Sequence, residues 1–281
     1  MFKSRNPSFP RSKPVHLAET STLFPIHPNN VSSPKQIKQI LFDCDNTLVL
    51  SEELAFEACA ELANEILSKH NISARYTGPE LLSSFVGQNF RGMMVSLQEK
   101  YSFTLPADEF NAYVDRELGK VIETLEKKAR PCEGSMEVLE KLYKDKKYGL
   151  AVVSSSALSR VQASIRKVGQ DKFFPAEHVY SAATSLEKPT SKPDPAIYLH
   201  ACKEIGVRPA ECVAVEDSKS GATAAKNAKI PLIGYVGSYE DKKQMDKMAK
   251  MLTEECGALF VMYHWKQFDE ALATVEKAVA A

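Results

Sequence analysis

Three apolar, β-branched runs each end in a polar cluster and lead into a segment with helical spacing. That succession points to an α/β fold built on a parallel sheet. The first run, I-K-Q-I-L-F-D-C-D-N-T-L at residues 37–48, ends in Asp43 and Asp45. Alternate residues of a strand share a face, so these two carboxylates emerge together at its end. The second, G-L-A-V-V-S-S-S at residues 149–156, ends in hydroxyls and precedes the helical pattern A-L-S-R-V-Q-A-S-I. A strand running into a helix start offers free amides and a positive dipole end, which suits a phosphate. The third, C-V-A-V-E-D-S at residues 212–218, ends in Glu216 and Asp217. The small-residue stretch G-A-T-A-A at 221–225 follows and can pack closely on a sheet. Between the second and third runs, K-P-D-P at 192–195 places Lys192 before a proline that opens a further helix.

Each piece is weak alone. With each charged type near 6% of residues, D-x-D-x-T arises by chance in roughly one chain in twenty of this length. Acid pairs after strands are often turns or N-caps, and serine clusters before helices are often caps. The order carries the weight, because ligand sites of parallel α/β sheets lie at the carboxyl ends of the strands.

D-C-D-N-T-L, V-V-S-S-S, S-K-P-D-P and V-E-D-S-x-x-G resemble the four motifs of the haloacid dehalogenase superfamily. The match is to its branch of Mg²⁺-dependent phosphatases with an inserted helical cap. The resemblance implies a Rossmann-like core at residues 37–50 and 131–281, a mobile cap at 51–130, and phosphoryl transfer through an aspartyl-phosphate. By the same resemblance, Asp43 is the nucleophile. Asp45 protonates the leaving oxygen and then deprotonates the hydrolytic water. Mg²⁺ sits on Asp43, the Asp45 carbonyl, Glu216 and Asp217. Ser154, the amide of Ser155, Asn46 and Lys192 hold phosphate oxygens, and Thr47 supplies a supporting hydroxyl.

Elementary electrostatics agrees with these roles. A carboxylate attacking a phosphate dianion needs a metal and a lysine to neutralise the oxygens. Asp45 would lend the metal only its backbone, so its carboxyl can stay protonated in the closed site. Dehalogenase members lack the acid at the position of Asp45, and phosphonate hydrolases carry a small residue there. Phosphomutases share all four motifs. Their β-phosphoglucomutase-like members place a histidine where this chain has Ala55, which favours hydrolysis. The substrate is then a small phosphomonoester, such as a sugar or polyol phosphate. A non-catalytic protein that merely holds a phospho-ligand would have no need of both acids and a metal pair.

Residues 51–130 carry a run of helical patterns, with Ser51 a candidate N-cap before Glu52 and Glu53. Helices are expected to about residue 70, then over 78–86, 91–101 and 107–128, a bundle able to close over the site. Gln88, Asn89 and Arg91, after Gly87, fall in a loop that could face the substrate, and Ser156 could touch it from the core. Near the end of the chain, residues 230–236 and 258–263 read as strands around a charged helix, with His264 and Trp265 in packing or surface roles.

Acids and bases balance at 36 each, so neither nucleic acid nor an anionic membrane is an expected partner. A small-molecule ester is the expected partner, and the protein a monomer or weak dimer. The six cysteines lack C-x-x-C spacing and read as reduced, buried thiols. Residues 1–36 lack periodicity and read as a disordered arm. Pro7, Pro10 and Pro14 oppose the amphipathic helix of a mitochondrial presequence, which favours a cytoplasmic location.

Overall fold

The computed structural model of the chain describes residues 36–85 and 88–281. The expected N-terminal arm lies outside these residues, apart from residue 36, and so does Gly87. At the centre is a parallel sheet formed by β1 (Gln39–Phe42), β4 (Gly149–Ser154), β5 (Val179–Ser181), β6 (Cys212–Glu216), β7 (Leu232–Tyr235) and β8 (Phe260–Met262). The remaining two strands, β2 (Val49–Leu50) and β3 (Arg130–Pro131), form a separate antiparallel ribbon. The sheet order is β5-β4-β1-β6-β7-β8. In succession along the chain this is the 3-2-1-4-5-6 order of a Rossmann-like sheet, whose switch point lies at the first strand.

Both faces of this sheet are covered, which is why its strands read as unbroken apolar runs. Side chains alternate between two cores. Ile40, Phe42, Val152, Val213, Val215 and Ile233 face one side, against Trp265 and Phe268. Leu41, Ala151, Val153 and Ala214 face the other, against Ile197, Ala222 and Ala225. Trp265 is fully buried, its ring 5.7 Å from that of Phe268 and 6.1 Å from Phe42. It belongs to packing, as the sequence suggests.

Four helices lie between β2 and β3. They are α1 (Glu52–Lys69), α2 (Gly78–Ser84), α3 (Phe90–Tyr101) and α4 (Ala107–Lys128). Leu62, Ile66, Leu81, Phe90, Met94 and Tyr113 give them a hydrophobic core of their own. Ala55 and Ala58 of α1, and Val121 and Leu125 of α4, join the sheet's core instead. Two local expectations change. Ser51 does not cap α1 through its side chain; its hydroxyl donates to Asp45 instead. Asn89 is the cap of α3, its Oδ1 accepting from the Gly92 amide at 3.0 Å, so that helix begins one residue before Arg91.

The rest of the chain supplies α5 (Ser135–Asp145), α6 (Leu158–Lys167), α7 (Ala196–Ile205), α8 (Lys219–Asn227), α9 (Lys242–Glu254) and α10 (Phe268–Ala280). The short β5, the β2–β3 ribbon and α10 have no counterpart in the motif reading. All six cysteines are buried and free.

Candidate active site

β1, β4 and β6 are adjacent, so their carboxyl ends deliver Asp43, Ser154 and Glu216 to one edge of the sheet. Asp43, Glu216 and Asp217 are all buried there, with one ligand oxygen from each lying within 4.8 Å of the others. Lys192 reaches them from the loop before α7. Its Nζ donates to Asp43 Oδ1 at 2.7 Å, Glu216 Oε1 at 2.6 Å and the Val153 carbonyl at 2.7 Å. An ammonium has three donors, and each has an acceptor here. A buried lysine so placed keeps its charge. Burial opposes the ammonium, but Asp43 and Glu216 outweigh it and raise the Lys192 pKa.

The three acids outnumber that cation. Burial pushes Glu216 up to about 7, with Lys192 pulling against it and Asp43 adding to it. Burial, then Asp43 and Glu216, lift Asp217 well above the carboxylate range. Asp43 is raised as well, by burial against the pull of Lys192. Glu216 takes a further hydrogen bond from the Tyr198 hydroxyl at 2.5 Å, while its Oε2 is buried with no partner. Clustered carboxylates, an orphaned carboxylate oxygen and a shortage of positive charge fit a hard divalent cation with oxygen ligands. Gly221, in α8, is part of the same arrangement. A Cβ there would meet Glu216 Oε2 at 1.8 Å, so only glycine leaves room for the carboxylate.

Asp45 is held differently. Its Oδ1 accepts from Ser51 and from Arg160 Nη2, the latter at 3.1 Å, and its Oδ2 accepts from Ser156 Oγ at 2.6 Å. Burial alone would lift this acid, but Arg160, Ser156 and Ser51 together hold it below the usual range. In this state Asp45 is thus favoured as the carboxylate, the form that takes up a proton. Arg160, on α6, supplies the opposing charge, and no motif pointed to it.

A cavity of about 440 Å³ opens over these groups. Asp43, Asp45, Lys192, Asp217, Ser155 and Ser156 line it from the sheet side, and Phe56, Cys59, Gln88, Asn89, Met93 and Glu117 from the inserted helices. Several sequence candidates sit elsewhere. Ser154 is fully buried beneath the cavity, and its Oγ accepts from the Ser156 amide at 3.0 Å. Asn46, at φ 57°, turns its amide to Glu52 at 2.8 Å. Arg91 is corrected outright: it is exposed on α3, donates to Asn111 at 3.0 Å and lies over the Phe110 ring. Cys59, Glu117 and Arg160 line the cavity without having been expected there, and Glu52, read only as a first-turn acid, joins them. For Arg160 the only available signal was a basic residue one turn after the serine cluster.

Residues 40–235 match the haloacid dehalogenase-like hydrolase family. The chain belongs to that family. This haloacid dehalogenase-like hydrolase is 30% identical over 210 residues to a phosphorylated carbohydrates phosphatase of Thermotoga maritima, covering 74% of this chain and 90% of the relative. It is 28% identical over 202 residues to hexitol phosphatase B of Escherichia coli K12, covering 71% and 84%. Among solved structures, one from Thermotoga maritima provisionally described as a β-phosphoglucomutase superposes with a TM-score of 0.64 at 25% identity. That match covers 86% of this hydrolase and 99% of the other chain.

Proposed function

We propose that the protein is a Mg²⁺-dependent phosphatase that hydrolyses a small sugar or polyol phosphate through an aspartyl-phosphate on Asp43. The observation that carries this reading is the Lys192 bridge, which ties the Asp43 carboxylate to Glu216 beside Asp217 at the sheet edge. Asp43, Glu216 and Asp217, with the Asp45 carbonyl, would hold Mg²⁺, which when bound supplies positive charge against the phosphoryl oxygens. Asp43 attacks phosphorus, and the ester oxygen leaves with a proton from Asp45. Water then cleaves the acyl phosphate, giving its proton back to Asp45. In its resting state Asp45 is ionised and suited to the second half. The first half requires it to gain a proton with substrate in place. Ser155 lines the cavity, and its Oγ accepts from the Lys192 amide at 3.0 Å, fixing the two loops that would flank the phosphate.

Residues 51–130 act as the cap in this account, and the sugar or polyol part lies between them and the core. Similarity to two carbohydrate-related phosphatases supports that substrate class. A mutase is the less favoured reading, because Ala55 lines the cavity where a mutase histidine would help sense the sugar. The test is inorganic phosphate release from a panel of phosphomonoesters, with Mg²⁺ or with EDTA. Release is expected only with Mg²⁺, and Asp43→Asn should lower it by roughly 10⁴-fold or more, as for loss of a covalent nucleophile. Unchanged turnover in that variant would defeat the proposal.

A further inference from the structure

Besides Lys192 and the acids of the sheet edge, the cavity is lined by an acid and a base that form no ion pair with each other. Glu117 comes from α4, and its one partner among the described residues is the Cys59 thiol at 3.8 Å, a weak donor. Arg160 comes from α6, and its one partner among the described residues is Asp45. Each is felt by the other, since the guanidinium pulls on the Glu117 carboxyl while burial pushes that carboxyl up. They form no ion pair, although both line the same space, and Glu52 adds a second carboxylate nearby. A carboxylate facing a cavity lacks donors, and a guanidinium with N–H groups to spare lacks acceptors. A group bridging the two must therefore donate and accept at once.

We propose that Glu117 and Arg160 form a hydroxyl-reading wall that selects a neutral polyol phosphate over an acidic sugar phosphate of the same length. Neighbouring hydroxyls of an open-chain polyol donate to Glu117 and accept from Arg160. A substrate carboxylate would face Glu117 and Glu52 with only one guanidinium, already engaged by Asp45, to offset them. The amides of Gln88 and Asn89, also lining the cavity, are neutral and compatible with hydroxyls. This inference deepens the phosphatase reading by naming its substrate class and rests on it for the position of the phosphate.

Binding separates the two claims. Affinities for sorbitol 6-phosphate, 6-phosphogluconate and 2-amino-2-deoxysorbitol 6-phosphate would be measured by calorimetry on the Mg²⁺-loaded Asp43→Asn protein, while wild-type phosphate release tests the phosphatase reading. Sorbitol 6-phosphate should bind about tenfold or more tighter than the carboxylate analogue, the scale set by one repelled or unpaired group in a site. Adding Glu117→Gln, which keeps an acceptor but removes the charge, should close that gap by about fivefold or more. Circular dichroism would show that the variant folds. Equal or tighter binding of the acid, an amine bound no more tightly than the acid, or an unchanged gap in Glu117→Gln, would overturn the inference even if phosphate release is observed. Selective polyol binding without phosphate release would uphold it and defeat the phosphatase reading instead.

Discussion

Glu216 is the most constrained side chain in the site. Lys192 and Tyr198 hold one oxygen, and the other rests against the bare Cα of Gly221. Gly221→Ala must displace that carboxylate, because the new methyl group would overlap Oε2. The helix itself should tolerate alanine, which has the higher helix propensity. We therefore expect a folded protein whose Mg²⁺ affinity falls by roughly 10–100-fold, the usual effect of disturbing the support of a metal ligand. Titration of Mg²⁺-dependent turnover would show it as a rise in the half-saturating concentration. An unshifted titration would mean that Glu216 does not serve the metal. The same scale shows where motif reading stops. Asp43, Lys192, Glu216 and Asp217 were legible because each sits at a strand end or in the K-P-D-P turn that leads into α7. Arg160 and Glu117 were not, because their role depends on which helix faces reach the cavity.

At the scale of elements, the ends of β1 and β6 bring three acids together against one ammonium. Without metal, Glu216 and Asp217 bind their protons more tightly in the folded chain than in the unfolded one. A raised carboxyl pKa means that the native state holds more protons than the unfolded state. The contribution of these two acids to metal-free stability is therefore highest below the ordinary carboxylate range and falls as pH rises toward about 7, where Glu216 ionises. Mg²⁺ would bind the ionised acids, so its stabilising effect should grow across the same window. At about one hundred times its dissociation constant the ion would add about 2.7 kcal/mol. Thermal melts at pH 5 and pH 8 with and without Mg²⁺ check this, and an equal or larger increment at pH 5 would contradict it. Most elements were legible too, because strands buried on both faces read as apolar runs and α4 has the expected bounds. β5 escaped because its V-Y-S stands between A-E-H and A-A-T rather than within a longer apolar run such as the one around β8, and the β2–β3 ribbon escaped because its strands have only two residues each. Ser51 stands at the N-cap position of α1 as expected, but a hydroxyl that caps and one that binds the Asp45 carboxylate look alike until the chain folds.

On the scale of the whole molecule, the cavity lies between the sheet edge and a helical insertion with its own hydrophobic core. A site covered from that side can exclude water while the ester bond breaks and admit it afterwards. A covalent intermediate should therefore persist long enough to be trapped when its hydrolysis is slowed. The direct measurement is mass spectrometry of acid-quenched Asp45→Ala protein after mixing with Mg²⁺ and p-nitrophenyl phosphate, whose leaving group needs no proton from Asp45. The account predicts one phosphoryl group, located on Asp43 within the peptide spanning residues 37–48. Phosphate on another residue, or turnover by this variant with no phosphorylated protein at any time, would contradict it.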